Sequence, residues 1–202
     1  MVHRIVILLI FFCANVQAQR FHEAVIVKND GMQISCLARL PNRSGQNIRF
    51  KFDFLMRPNK MNFRYIHSVR YELGNGKTLE LEYLSFFHFF EKNNNRQNIP
   101  APEWLEVLER GDLTLYVIRE ISGRRRRQYI AYHYFVKREN DAYATEIAHV
   151  RHDGDFIIYS MEPGNFFAAA PHIEEKIRNR EYDYRATDIV DIVREYNSFT
   201  RK

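Results

Sequence analysis

Two histidines and two aspartates crowd one short stretch of the chain: His149 and His152 flank Val150 and Arg151, and Asp153 and Asp155 follow. Imidazole nitrogens and carboxylate oxygens are what a divalent metal binds, so the stretch is a candidate cation site. Residues three apart in an extended strand point to opposite faces. His149 and His152 could therefore share one ion only if the chain bends between them. A polar hairpin turn explains the same residues without a bend, and no H-E-x-x-H helix accompanies them. Neither a metal nor a cofactor is expected.

Cys36 and His67 are the one pairing that could give nucleophilic catalysis, a thiol beside an imidazole base. Both fall on the apolar side of a strand pattern, which permits contact, but Met32, Ile34 and Ala38 surround the thiol with apolar groups. A reactive thiolate needs partial exposure and a positive setting, so a buried, inert Cys36 is expected. Arg124, Arg125, Arg126 and Arg127 form an unbroken cationic run after Ser122 and Gly123. Guanidinium groups in series can clamp the phosphates of an anionic partner. A solvated hairpin tip that protects a sheet edge would carry the same run. The acid pairs Glu80/Glu82 and Glu106/Glu109 have the spacing of any solvated strand face, although a hydrolase could draw its two carboxylates from such pairs. The G-x-S-x-G elbow, the Walker loop and the dinucleotide fingerprint are absent.

The elements that must position these residues are mostly strands. Apolar residues alternate at Met32, Ile34, Cys36, Ala38 and Leu40, then at Ile48, Phe50, Phe52, Phe54 and Met56. They alternate again at Phe63, Tyr65, Val69, Tyr71 and Leu73, with His67 in the same register. Period two places each set on one face of a half-buried strand. Asn29-Asp30-Gly31, Gly74-Asn75-Gly76 and the turn at 152–155 supply positions that tolerate positive φ, so antiparallel pairing in chain order is expected. Further strands are predicted at about 104–109, 113–121, 128–137, 143–150 and 156–161. In 128–137 both faces are apolar or aromatic, which marks a central strand covered on both sides. The polar stretch 91–100 reads as a surface loop.

After Pro163 and Gly164 the period changes. Ile173 and Ile177 stand four apart behind Pro171, and Ile189, Ile192, Val193, Tyr196 and Phe199 form a helical stripe with Thr187 as its expected N-cap. The fold class is therefore α+β: an antiparallel meander of eight or nine strands, as a sheet or a partly open barrel, followed by two short helices within about 163–200. With 202 residues, 46% of them hydrophobic, one domain over 19–202 is expected. The net charge of +5 is too mild to announce a nucleic-acid binder.

The first residues carry their own instruction. Arg4 precedes an apolar run from Ile5 to Ala14, and Val16-Gln17-Ala18 forms a small-residue cleavage site before Gln19. That is the layout of a secretory signal peptide over 1–18. Its run is shorter than the roughly 20 residues a bilayer span needs. Cleavage would remove Cys13 and leave Cys36 as the one cysteine.

Several segments then read as a series: Asp30-Gly31, Gly111-Asp-Leu-Thr-Leu-Tyr116, Tyr134-Phe-Val-Lys137, Asn165-Phe166, Pro171-His-Ile-Glu-Glu-Lys-Ile177 and Ile192-Val-Arg-Glu-Tyr-Asn197. In these the chain resembles exported, uncharacterised envelope proteins of Bacteroidota, in which a G-x-L-x-LY strand precedes a helical tail ending in I-V-x-x-Y-N. It departs from them at Ser35, Cys36 and Ala170. The resemblance implies export to the periplasm or cell envelope and assigns no catalytic residue. The expectation is a non-enzymatic envelope binding module for a protein, glycan or anionic lipid. The alternatives are an accessory subunit docking on another envelope protein, and a hydrolase.

Overall fold

The computed structural model describes residues 20–74, 76–87, 102–122, 129–151, 157–159, 164–179, 181 and 186–201. The signal segment, the polar stretch 91–100, Arg124 to Arg127, and His152, Asp153 and Asp155 lie outside the described residues. Within the span expected to form one domain, the chain gathers into two compact units, residues 1–42 with 46–78 and residues 43–45 with 79–202.

The first unit holds β1 (Phe21–Lys28), β2 (Gln33–Arg39), β3 (Asn47–Lys51), β4 (Asn59–Asn62) and β5 (Ile66–Glu72). β1 to β4 form an antiparallel meander, and β5 returns to pair with β1 on the side away from β2, giving the order β5-β1-β2-β3-β4. The first hairpin closes as its sequence predicts. Gly31 takes φ 82°, and the Asp30 carboxylate accepts the Met32 N–H at 3.0 Å. Ala24, Ile26, Cys36, Ala38, Ile48, Phe50, Val69 and Tyr71 are buried, with Ala24 opposite both Cys36 and Tyr71. Only the alternation's inner members are covered; Met32 and Leu40 at the ends of their pattern are exposed.

Two strand patterns run on in sequence where the strands themselves stop. The alternation from Ile48 to Met56 predicts one strand, yet β3 ends at Lys51, and Phe52, Phe54 and Met56 are exposed. Asp53 is the reason: its carboxylate accepts the Leu55 N–H at 3.1 Å and its carbonyl the Met56 N–H at 3.2 Å, a local turn that competes with the ladder. The pattern from Phe63 to Leu73 breaks similarly. Phe63–Tyr65 is a 3-10 turn capped by the Asn62 side chain, and Tyr65 and Leu73 are exposed. A β-bulge follows, in which Val27 faces Ser68 and Lys28 faces Ile66, so His67 is the extra residue and is exposed.

The second unit holds β6 (Thr78–Leu84), β7 (Phe86–Phe87), β8 (Glu103–Glu109), β9 (Thr114–Ser122), β10 (Tyr129–Lys137), β11 (Ala144–Arg151) and β12 (Ile157–Tyr159). It also holds one helical turn at Gly164–Phe167 and two helices, α1 (Pro171–Arg178) and α2 (Ala186–Thr200). β8 to β12 are an antiparallel meander with β6 beside β8, while β7 runs parallel to β11. Within neither unit do the described strands close into a barrel, so of the two expected forms the open sheet is the one found. The α+β class stands, with twelve described strands rather than eight or nine.

β10 is the central strand its sequence predicts, paired on both sides and covered on both faces. On one face Leu113, Leu115, Val117, Tyr134, Val136 and Ile147 pack under Ile173, Ile177, Ile189, Ile192, Val193 and Tyr196 of the helices. On the other, Phe86, Leu105, Tyr116, Ile118, Phe135 and Ala144 form a smaller core. Pro171 opens α1, as expected. α2 begins at Ala186, which puts Thr187 inside the first turn rather than at the N-cap. Phe199 departs from the buried stripe: it is 45% exposed and meets the His172 ring at 4.9 Å.

One contact fixes α2 to the sheet. The buried Asn197 side chain accepts the Leu113 N–H and donates to the Leu113 carbonyl, both at 2.9 Å, thereby occupying a backbone donor and acceptor at the start of β9. Gly111 makes room for it, because a Cβ there would collide with the Asn197 amide. The glycine of G-x-L-x-LY and the asparagine of I-V-x-x-Y-N thus serve one clasp.

Candidate metal centre

The sheet face turned away from the helices gathers charge around the middle of β10. His133 on β10 stands directly opposite His149 on β11, and their ring centroids lie 4.2 Å apart. The His133 Nδ1 is 2.7 Å from the Glu146 Oε1. Donor atoms of His133, Glu146 and His149 all lie within 4.8 Å of one another.

Glu146 and His149 are three apart, so a regular strand would send them to opposite faces. A β-bulge in β11 prevents this. Tyr134 faces Ala148 while Phe135 faces Glu146, which leaves Ile147 as an extra residue. Ile147 and Ala148 both join the helix-side core, and Glu146 and His149 emerge together on the other face. The bend that His149 and His152 would have needed exists one step earlier in the chain, with Glu146 as the beneficiary.

Glu146 has no solvent exposure and His133 has 9%. A carboxylate so placed must be met by a proton, a cation or a metal, since an isolated buried charge is costly. His133 meets it through Nδ1 in a hydrogen bond of 2.7 Å. Its Nε2 looks toward Glu120, whose Oε2 is 3.8 Å away, within ion-pair range. Glu120 is in turn held by Arg43, which also grips Glu103. The floor of the site is apolar: Ile118 pairs with His133 across the ladder, and Phe135 lies two residues along the same face.

The other candidates are placed differently. Cys36 is buried on β2 and His67 is exposed on β5, with β1 between their strands, so the two do not form a dyad. Burial pushes the Cys36 thiol up to about 11, which removes the thiolate a nucleophile requires. The acid pairs are taken up by arginines. Glu80 and Glu82 share Arg110, Glu106 holds Arg119 at 2.8 Å, and Glu109 meets Arg194 at 3.2 Å. Glu82 also accepts the Tyr116 hydroxyl at 2.8 Å, and burial holds that phenol well above its ordinary pKa. Of His149, His152, Asp153 and Asp155, His149 is the one within the described residues, and its neighbours there are His133 and Glu146.

No protein-family model, curated protein or solved structure matches this chain.

Proposed function

We propose that the chain is a non-enzymatic envelope binding module whose ligand is a divalent first-row metal ion held by His133, Glu146 and His149. The observation that carries this reading is the convergence of three donor groups from two neighbouring strands, made possible by the bulge at Ile147. Two imidazoles and one carboxylate are the donor set of zinc and non-haem iron sites. Calcium and magnesium prefer all-oxygen shells. In the metal-loaded form the ion takes the place of the proton between His133 and Glu146. Glu120 then lies near the outer nitrogen of His133, in the manner of a carboxylate that orients a metal-binding imidazole. The layout of residues 1–18 as a signal peptide supports the envelope assignment.

Calorimetric titration with zinc in two buffers of different ionisation heat tests the reading. One ion per chain is expected, with proton release and tighter binding as pH rises. His149→Ala should weaken binding roughly tenfold or more, and Glu146→Gln should do likewise while removing the buried charge. Both variants are read beside their urea midpoints. Zinc binding that survives unchanged in both folded variants overturns the proposal.

A further inference from the structure

We propose that the β3–β4 loop of the first unit is a docking tip that inserts apolar side chains into an anionic lipid bilayer. Four large apolar residues crowd this loop, and water reaches all of them: Phe52 is 58% exposed, Phe54 71%, Leu55 95% and Met56 55%. The loop is built to hold them outward. Asp53 closes the turn through the Leu55 N–H and Met56 N–H. Lys51 folds beneath it, donating to the Phe54 carbonyl at 2.6 Å with its ammonium 5.2 Å from the Phe54 ring centroid and 4.6 Å from that of Phe21. Exposure here is therefore a defined conformation with its own internal bonds.

The surroundings name the partner's charge. Arg49, Arg57 and Lys60 are exposed around the tip, against Asp53 alone among acids between Arg49 and Lys60. Arg49 and Lys60 are direct cross-strand partners. Like charges facing each other across a ladder destabilise a hairpin, and a negatively charged surface relieves that repulsion. An apolar tip rimmed by cations is the pattern of a protein that seats itself at the headgroup boundary. A tip of four side chains is also much smaller than the roughly 800 Å² per partner that a stable protein interface buries. Among the described residues no helix is long and apolar enough to cross a membrane.

The test uses the full chain with vesicles of phosphatidylglycerol and phosphatidylcholine, and with phosphatidylcholine alone as control. The apolar run from Ile5 to Ala14 would bind lipid by itself if retained, so the readout must be local. Leu55→Trp places a fluorophore at the tip, and its emission should shift to the blue on anionic vesicles, relative to the parent chain with its buried Trp104. In co-sedimentation, Phe54→Ser with Leu55→Ser should cut the tip-dependent partition about tenfold or more. Arg57→Gln and Lys60→Gln should each cost about fivefold and flatten the salt dependence. All four positions are exposed, so urea midpoints should not move. An unshifted Leu55→Trp emission, or an equal shift on phosphatidylcholine alone, overturns the proposal. So does a lipid-independent dimer in sedimentation that Phe54→Ser with Leu55→Ser abolishes, since the tip would then be a contact between copies.

Discussion

Cys36 shows how burial selects which form of a group a fold tolerates. The Cys36 thiol is neutral because its neighbours are apolar, and its folded value of about 11 lies above the ordinary 9.0. The unfolded chain therefore loses this proton first as pH rises, so the stabilisation is complete below about 9 and fades toward about 11. Urea midpoints of the parent chain and Cys36→Ala should converge over that window, because the variant has no thiol to ionise. Tyrosines that titrate in the same range are common to both, although Tyr71, already raised by burial, is raised further by the Cys36 charge. A constant difference from pH 8 to 11 would mean that the thiol ionises freely in the fold. Iodoacetamide should label native Cys36 slowly at neutral pH for the same reason. Buried inertness of this residue was legible from Ile34 and Ala38 on its face. The burial of Glu146 was not, because a glutamate between Thr145 and Ile147 looks like the solvated member of an alternating strand.

At the scale of elements, period-two patterning located most strands and period 3.6 located both helices. What it could not show was where a regular strand gains a residue. None of the bulges among the described residues has a glycine as its extra residue: these are His67, Leu108 and Ile147. His67 was thus read onto the wrong face, and His133, within a strand apolar or aromatic on both faces, was not singled out. The loop after Lys51 misled differently, since Phe52, Phe54 and Met56 continue the alternation while the backbone turns away. The α2 stripe was legible because burial and periodicity agree there. Ile192 has 1% exposure and faces the helix-side core. Replacing it by Ala should cost about 2–5 kcal/mol. Arg194, paired at the surface with Asp191 at 2.9 Å and Glu109 at 3.2 Å, should cost within about 0.5 kcal/mol on replacement by Ala. Paired urea melts check both; equal midpoints would mean that α2 is not docked on the sheet.

At the scale of the whole molecule, the metal donors belong to the second unit and the apolar tip to the first. Changes at independent sites are additive, and each proposal is tested within its own unit. Glu146→Gln is expected to leave vesicle partition unchanged, and Phe54→Ser with Leu55→Ser to leave zinc affinity unchanged. Measuring each variant in the other's assay checks this, and reciprocal loss would show that one ligand controls the other. The mild net charge of +5 gave no hint of this division. It averages over a cationic tip and an acid-rich sheet face, and an average conceals both.

The bulge at Ile147 has a consequence for ancestry. A strand without it would present the same two donors with one intervening residue, glutamate-x-histidine, where this chain has glutamate-x-x-histidine. Both spellings describe one site in space. A lineage could pass from one to the other through a single-codon insertion that leaves every donor in place and adds an apolar residue beneath the helices. Aligned column by column, such descendants would look as though the histidine had been lost in one branch and invented in another. Placing the gap at position 147 restores the correspondence.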